Sequence, residues 1–237
     1  SSGIQVVQYT TPYFLNQLTE VSSFFEQRKK YFQTDFYTWQ RKSRKILTEA
    51  DGSPVGGKWT FDADNREKFP KNEKAPNYAF LSHDSFTKEA TSYVENNFSH
   101  HYGHSNAPAN GKFPWAWTFE SADKLLDDFL KNRLEKFGIY EDAMVEKEDY
   151  LFHSILSPML NTGLLEPAYV LEKTFAFAKQ NEVPINSLEG FIRQIMGWRE
   201  FIRGVYETKG VEERTTNYWK FKRRIPESFW NATTGIA

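Results

Sequence analysis

Cysteine is absent from the 237 residues. Disulfides, cysteine-ligated metal ions and iron–sulfur clusters are therefore excluded within this chain, although the cellular compartment stays open. No apolar run approaches the roughly 20 residues that a membrane-spanning helix needs, and no secretory signal follows the N-terminus. We therefore expect no membrane partner.

The local signatures of common enzyme classes are also missing. There is no Gly-rich phosphate loop and no strand–turn–helix dinucleotide fingerprint, and neither G-x-S-x-G nor H-E-x-x-H occurs. His100, His101 and His104 share one loop, but no further ligand stands at a helical spacing from them, so we favour a polar surface loop and predict no metal site. With 30 basic and 31 acidic residues, any nucleic-acid contact has to use local patches of charge.

Helical periodicity dominates what is present. Apolar residues recur at helical spacing in five stretches: from Pro12 to Phe25, 34–48, 85–98, 121–137 and from Glu166 to Lys179. Residues 51–82 are rich in Gly, Pro, Asp and Asn and keep no period, which indicates a linker or a functional loop. The sequence predicts a mainly α, multi-helical protein with a long irregular linker.

The most apolar predicted helix is 187–206, SLEGFIRQIMGWREFIRGVY. Its spacings of four and three predict one buried face, formed by Phe191, Ile195, Trp198, Ile202 and Val205. The strip that looks polar carries Arg193, Gly197, Glu200 and Gly204. Each of these glycines costs roughly 1 kcal/mol relative to Ala in a helix interior. Close helix packing is the favoured reason, and close approach of a ligand or a nucleic-acid backbone is the alternative.

Two stretches combine cations with aromatic side chains. The basic run 41–45 is able to meet phosphate, but we favour a solvated helix face. In 211–237, five cations are interleaved with five aromatic residues: Arg214, Lys220, Lys222, Arg223 and Arg224 with Tyr218, Trp219, Phe221, Phe229 and Trp230. This pattern fits recognition of single-stranded or flipped bases. Core aromatic residues beside a basic surface turn explain it equally well.

The segment GFIRQIMGWREFIRGVY resembles the core helix of the photolyase–cryptochrome flavoproteins, whose members carry a W-R-E-[FY] segment there. The resemblance is strongest to the deoxyribodipyrimidine photolyase-related proteins, the bacterial iron–sulfur (6-4) photolyases. It runs from about Tyr13 to the end, with the best matches at 56–70, 133–167 and 187–206.

The resemblance implies a domain organisation. Residues 1–50 would be the helical end of an antenna domain, 51–82 a linker, and 83–237 the N-terminal half of a helical catalytic domain that binds FAD and DNA. Family members run to about twice this length, so we expect a central fragment that binds FAD weakly and is inactive alone. The missing half would leave an apolar surface that promotes self-association.

Family members hold the FAD pyrophosphate with a T-S-x-L-S-P-type segment, which here is His153 to Pro158. The resemblance therefore assigns Ser154, Leu156 and Ser157 to FAD binding, with His153 in place of the usual threonine. It adds Tyr140 and Arg199 as flavin contacts. Read without the family, the two serines would be ordinary helix-surface or capping residues.

Contacts to damaged DNA are expected from Trp198, which flanks the lesion pocket in the family, and from Arg223 and Arg224. Core packing is the alternative role for Trp198. The leading hypothesis is a fragment of a cytoplasmic, light-dependent DNA repair photolyase. The alternatives are a cryptochrome-like blue-light sensor and a flavin-independent helical nucleic-acid-binding module that uses 214–224.

Overall fold

The computed structural model describes residues 3–78, 81–82, 84–102, 112–113, 115–146 and 148–236, so His104 of the predicted polar loop lies outside the described residues. The chain is mainly helical, which confirms the predicted class. The helices are α1 (Leu18–Glu26), α2 (Gln33–Arg44), α3 (Ser85–Phe98), α4 (Phe119–Asn132), α5 (Leu134–Phe137), α6 (Ser157–Thr162), α7 (Pro167–Gln180), α8 (Ile185–Ile192), α9 (Glu200–Thr215) and α10 (Glu227–Trp230). A π-helical segment, Arg193–Arg199, joins α8 to α9.

Short strands and turns complete the described secondary structure. Strand β1 (Leu81–Ser82) pairs antiparallel with β2 (Lys112–Phe113), with Leu81 opposite Phe113. Within the stretch predicted as a linker, residues 51–78 contain two 3-10 turns, Val55–Gly57 and Asp62–Asp64, and are otherwise irregular, while β1 lies at its end.

Two compact units form. The first combines residues 1–79 with 115–208, and the second combines 80–114 with 209–237, so that α9 contributes to both. The domain limits implied by the family resemblance remain a prediction.

Helix α1 begins at Leu18 rather than near Pro12 because Gln17 and Glu20 form the capping box. It packs with α2 and α9 around an aromatic core of Val21, Phe24, Phe25, Phe36 and Phe201. The rings of Phe24 and Phe36 meet edge to face with centroids 5.1 Å apart, a favoured arrangement for aromatic pairs.

In the basic run 41–45, Lys42 and Lys45 are exposed, as the favoured interpretation of a solvated face predicts, but that interpretation is wrong for the two arginines, which bond to the protein itself. Arg41 is fully buried and donates to the carbonyl oxygens of Ile46, Leu47, Lys58 and Trp59. Those carbonyls belong to the irregular stretch after α2, and a buried charge is tolerated when its donors are satisfied. Arg44 donates to the Leu15 carbonyl oxygen at 2.7 Å and to Asn16 Oδ1 at 2.8 Å.

Arg193 connects three parts of the first unit. Its side chain is 5% exposed, and its guanidinium lies 3.1 Å from Asp62 Oδ1, 3.0 Å from Glu141 Oε2 and 3.4 Å from Glu189 Oε1. Glu189 is fully buried and also accepts the backbone N–H of Phe61 at 2.9 Å. The 3-10 turn at 62–64, the loop after α5 and the π-helical segment are thereby held to one another.

The predicted orientation of helix 187–206 is correct at its start and wrong at its end. Phe191 and Ile195 are buried, but Trp198 is 42% and Ile202 57% exposed. The strip that looked polar faces inward instead, with Glu200 fully buried. Periodicity records only where apolar residues recur, whereas buried charges here are satisfied by partners from distant parts of the chain.

The glycines of that inward strip allow close helix packing, as favoured from the sequence. A Cβ on Gly204 would lie 2.1 Å from Phe25 Cε2 and 2.7 Å from Val21 Cγ1. A Cβ on Gly197 would lie 2.7 Å from Gln33 Nε2, which is the end of a flexible side chain, and 3.1 Å from Tyr37 Cδ2. Helix α1 therefore approaches α9 as closely as the absence of a side chain permits.

We expect Gly204→Ala to lower the free energy of unfolding by about 2 kcal/mol, because overpacking against the Phe25 ring outweighs the gain of roughly 1 kcal/mol in helix propensity. Urea denaturation followed by circular dichroism measures this change. Gly197→Ala is the matched control and should cost clearly less, since the Gln33 amide is free to move aside. Equal stability of the Gly204 variant and the unchanged protein would show that the close contact is not maintained.

Candidate functional site

An open cleft of about 1020 Å³ lies in the first unit, between α6 and the wall formed by the π-helical segment and α9. Its apolar lining is Phe14, Leu156, Leu160, Phe191, Ile195, Trp198, Ile202 and Tyr206. Its polar lining is Ser154, Ser157, Asn161, Gln194, Arg199, Arg203 and Glu207. A mostly apolar cleft with a few convergent polar groups is the usual form of a small-molecule site.

One wall contains strained backbone. Ile155, between the cleft serines Ser154 and Ser157, has a φ of 58°, and Leu151 has a φ of 43°. Positive φ is a genuine outlier for a β-branched residue such as isoleucine. Such strain of order 1–3 kcal/mol persists only where the surrounding structure enforces it, and it clusters at functional sites.

His153 stabilises the backbone of this wall. Its Nδ1 lies 3.0 Å from the Tyr150 carbonyl oxygen and its Nε2 lies 3.0 Å from the Glu141 carbonyl oxygen. Both ring nitrogens therefore face backbone carbonyls, and the imidazole spans the loop that precedes Ser154. At this position the resemblance implies a threonine, and His153 fixes the loop rather than lining the cleft.

The opposite wall is the π-helical segment Arg193–Arg199, which supplies Gln194, Ile195, Trp198 and Arg199 to the cleft. π-helical turns are rare in proteins, and those that do occur are often found at functional sites.

Arg199 is the cation at the base of this wall. Its Nη1 donates to Asn161 Oδ1 at 2.7 Å and its Nη2 to the Leu160 carbonyl oxygen at 3.2 Å. Its Nε is buried and has no hydrogen-bond partner among the described residues. Burial lowers the pKa of Arg199, and the neighbouring Glu200 opposes that shift. The guanidinium nevertheless stays protonated, as arginine does in proteins, so the cleft holds a half-buried cation with one unsatisfied donor.

A second cation, Arg203, shares an aromatic neighbour with Arg199. The guanidinium carbons of Arg203 and Arg199 lie 4.2 Å and 5.0 Å from the centroid of the Phe14 ring. Arg203 also donates to the Asn16 carbonyl oxygen at 2.8 Å. The two arginines are thus oriented by an aromatic face, by backbone carbonyls and, for Arg199, by Asn161, and neither forms an ion pair with another described residue.

Glu200 holds the segment that carries Phe14. Its buried carboxylate accepts the backbone N–H of Leu15 at 2.8 Å, the backbone N–H of Asn16 at 3.2 Å and Asn16 Nδ2 at 2.7 Å. Three donors around a buried carboxylate satisfy its charge. The position of Phe14 at the cleft therefore depends on a residue that itself faces away from it.

The structure brings together five of the residues that the sequence singled out. Ser154, Leu156, Ser157, Trp198 and Arg199 all line the one cleft, although their assigned roles remain predictions.

Tyr140 lies elsewhere. It is buried against Phe69 and Phe152, with ring centroids 5.1 Å and 5.5 Å away, and its hydroxyl donates to Glu73 Oε2 at 3.1 Å. Burial and the Glu73 carboxylate raise the pKa of Tyr140. Tyr140 does not line the cleft. Its contact with flavin remains a prediction.

Arg223 and Arg224 belong to the second unit, where both are exposed. Sequence reasoning missed Phe14, Asn161 and Arg203. Only Arg203 had a usable signal, since it follows Arg199 by four residues; the other two reach the cleft through tertiary contacts.

The cleft combines two cations and two serine hydroxyls with an aromatic wall. This donor set suits a planar aromatic ligand that carries an anionic group, because phosphate and carboxylate oxygens take charge-assisted hydrogen bonds. In the part of the chain that the structure describes, no cluster of His, Asp and Glu is arranged to hold a metal ion, and no helix is long and apolar enough to cross a bilayer.

Known proteins resemble parts of the chain and, in one reported case, nearly all of it. The sequence model of the family described as deoxyribodipyrimidine photo-lyase-related protein matches residues 1–109. A (6-4) photolyase of Agrobacterium fabrum is 33% identical over 232 residues, which are 98% of this chain and 45% of that protein. An uncharacterized protein of Acanthamoeba polyphaga mimivirus is 41% identical over 99 residues, covering 41% of this chain and 75% of that protein. The chain thus spans about half the length of the photolyase that it matches.

We expect Glu200→Gln to lower the free energy of unfolding by about 2–3 kcal/mol, because the amide keeps one acceptor oxygen and turns an NH2 group towards backbone donors. Hydrogen exchange at the Leu15 and Asn16 amides should accelerate along with the loss of stability in urea. The matched control is Glu207→Gln, an exposed carboxylate in the same helix, which should stay within about 0.5 kcal/mol. Unchanged exchange at both amides would refute the role assigned to Glu200.

Proposed function

Because the chain belongs to the deoxyribodipyrimidine photo-lyase-related family, we propose that it forms part of a light-dependent, FAD-containing photolyase that repairs pyrimidine photoproducts in DNA, the (6-4) lesion in particular. The observation that carries this proposal is the convergence of Ser154, Ser157, Trp198 and Arg199 on one cleft. These residues come from two segments some 40 positions apart, so their meeting is a property of the fold rather than of a short motif.

The residues present fit FAD. Two hydroxyls and two guanidinium groups suit the pyrophosphate, the aromatic and aliphatic wall suits the ring system, and the cleft volume falls at the upper end of the range for drug-sized ligands. The buried Arg199 Nε, which has no hydrogen-bond partner among the described residues, is a donor that a ligand or water would satisfy. When bound in its reduced, light-excited form, FAD supplies the electron that a pyrimidine lesion takes up and later returns.

The protein's share of this function is binding and orientation. The hydroxyls of Ser154 and Ser157 would donate to phosphate oxygens, and Arg199 would offset their charge. Trp198, with 42% of its surface exposed at the cleft, offers an aromatic face against which a flipped base would stack. The neighbouring Leu156 and Ile195 are buried and would exclude water from beneath the ligand.

We further propose that this chain is a fragment of such an enzyme, since it aligns with 45% of the Agrobacterium photolyase. An incomplete FAD-binding site would bind FAD weakly, and the chain would not repair lesions by itself. Ile202 and Tyr206, 57% and 62% exposed beside Trp198, form an apolar surface that favours self-association at high concentration.

We expect the purified chain to bind added FAD with an affinity in the micromolar range or weaker and to bind riboflavin, which lacks the pyrophosphate, less tightly. Visible absorption and fluorescence titrations measure both. The double variant Ser154→Ala, Ser157→Ala should weaken FAD binding about a hundredfold, because each lost hydrogen bond to a charged group costs at least about 1.5 kcal/mol, and should leave riboflavin binding unchanged.

Ser92→Ala is the matched control for this titration, since it removes an exposed serine hydroxyl of α3 that does not line the cleft. It should leave both affinities as they are. An equal loss with Ser92→Ala would show that the effect is not specific to the cleft, and equal binding of FAD and riboflavin would argue against a pyrophosphate site.

An experiment on the longer protein that contains this chain distinguishes DNA repair from light sensing. We expect blue light to restore oligonucleotides that contain a (6-4) photoproduct, and Trp198→Ala to reduce that repair more than it reduces flavin content. Chromatography of the irradiated oligonucleotide measures repair, with a dark sample as the control. A flavin-loaded protein that leaves the lesion intact would favour the cryptochrome-like alternative.

A further inference from the structure

The aromatic residues that follow α9 are not core residues. In the second unit, Tyr218 is 79%, Trp219 71% and Phe221 74% exposed. The sequence had left open whether these rings pack in a core beside a basic turn, and that alternative is wrong. Three adjacent exposed rings are uncommon on a protein surface, and contiguous apolar patches of this kind mark interaction sites.

The segment has a defined turn rather than an open coil. Asn217 Nδ2 donates to the Phe221 carbonyl oxygen at 2.7 Å, and Asn217 Oδ1 accepts the Phe221 backbone N–H at 3.2 Å. The Lys220 backbone N–H donates to the Asn217 carbonyl oxygen at 3.0 Å while Lys220 adopts a φ of 55°. One asparagine side chain thus closes the turn on which the rings stand.

The turn arranges its rings for stacking. Trp219 and Phe221 are nearly parallel, with an interplanar angle of 14° and centroids 6.3 Å apart. Tyr218 meets Trp219 edge to face at 5.1 Å. The rings therefore expose π-faces, which every nucleic-acid base is able to stack on.

The charge of the segment is entirely of one sign. Residues 214–224 contain five cations, Arg214, Lys220, Lys222, Arg223 and Arg224, and no Asp or Glu, for a formal charge of +5. All five side chains are exposed. None of them forms an ion pair with another described residue.

From these observations we infer that residues 214–224 form a platform that binds unpaired nucleic-acid strands, with phosphates against the cations and bases against the rings of Trp219 and Phe221. Phosphates at close spacing complement a run of uncompensated cations. The exposed rings stack on unpaired bases, whereas the bases of a closed duplex already stack on one another and are not accessible to the rings. The inference needs no flavin and does not involve the cleft of the first unit.

The test is binding of the full chain to a fluorescein-labelled 20-nucleotide oligo-dT strand, followed by fluorescence anisotropy between 50 and 200 mM salt. Oligo-dT has no secondary structure, and a duplex of the same length is the competitor. Binding should prefer the single strand and weaken with salt, with a log–log slope of about −0.7 for each phosphate contacted.

Two variants separate charge from stacking. Arg223→Ala with Arg224→Ala should reduce the salt slope by about 1.4. Trp219→Ala should weaken binding roughly tenfold while leaving the slope unchanged. The controls are Lys29→Ala with Lys30→Ala, which removes two exposed cations from the first unit, and Phe86→Ala, which removes an exposed ring from α3. Circular dichroism should show every variant folded, since all the altered side chains are exposed.

Equal losses in the control variants, a preference for duplex, or binding that is insensitive to salt would each overturn the inference. One further outcome would overturn the inference and show that the rings bind something other than nucleic acid. If Trp219→Ala leaves oligo-dT binding intact but abolishes self-association in sedimentation, the rings contact a second copy of this chain instead.

Discussion

The buried guanidinium of Arg193 holds the first unit together around the π-helical segment. It reaches Asp62 in the irregular stretch, Glu141 after α5 and Glu189 one turn earlier in its own helix, all within 3.4 Å. Removing one partner of such a cluster leaves a buried charge uncompensated, which typically costs 3–5 kcal/mol. Residues 58–62 of the irregular stretch are therefore a packed part of this unit, because the Lys58 and Trp59 carbonyl oxygens and the Asp62 carboxylate bind arginines of α2 and the π-helical segment.

This arrangement has a consequence for the cleft. Since Arg193 and Glu200 face inward, the apolar residues on the other side of the same helix, Trp198, Ile202 and Tyr206, are left towards the solvent. An apolar helix face beside two arginines that form no ion pair among the described residues, and beside two hydroxyls, is poorly suited to water alone. It is well suited to an aromatic ligand with anionic groups, and to the further protein surface that the proposed longer enzyme would supply.

The sequence was informative where a rule depends on neighbouring residues. Helical periodicity identified most of the helices, and the apolar start of 187–206 is buried as expected. Sequence reasoning failed in two different ways. The start of α1 lies at Leu18 rather than near Pro12 because a local capping box of Gln17 and Glu20 was overlooked. Arg41 is a core residue because carbonyl oxygens up to 18 positions away accept its hydrogen bonds, which local spacing does not reveal.

For the candidate site, the sequence alone determined which functional groups are available: the serines of the 154–157 run, the Trp198–Arg199 pair and the cations of 214–224. Only the tertiary structure decided which of these meet. Glu200 is a solvated carboxylate on any helical wheel, and it becomes a buried anchor because Leu15 and Asn16, some 185 positions earlier, bring three donors to it. A charge can be buried only where partners are supplied, and partners so distant along the chain are set by the fold.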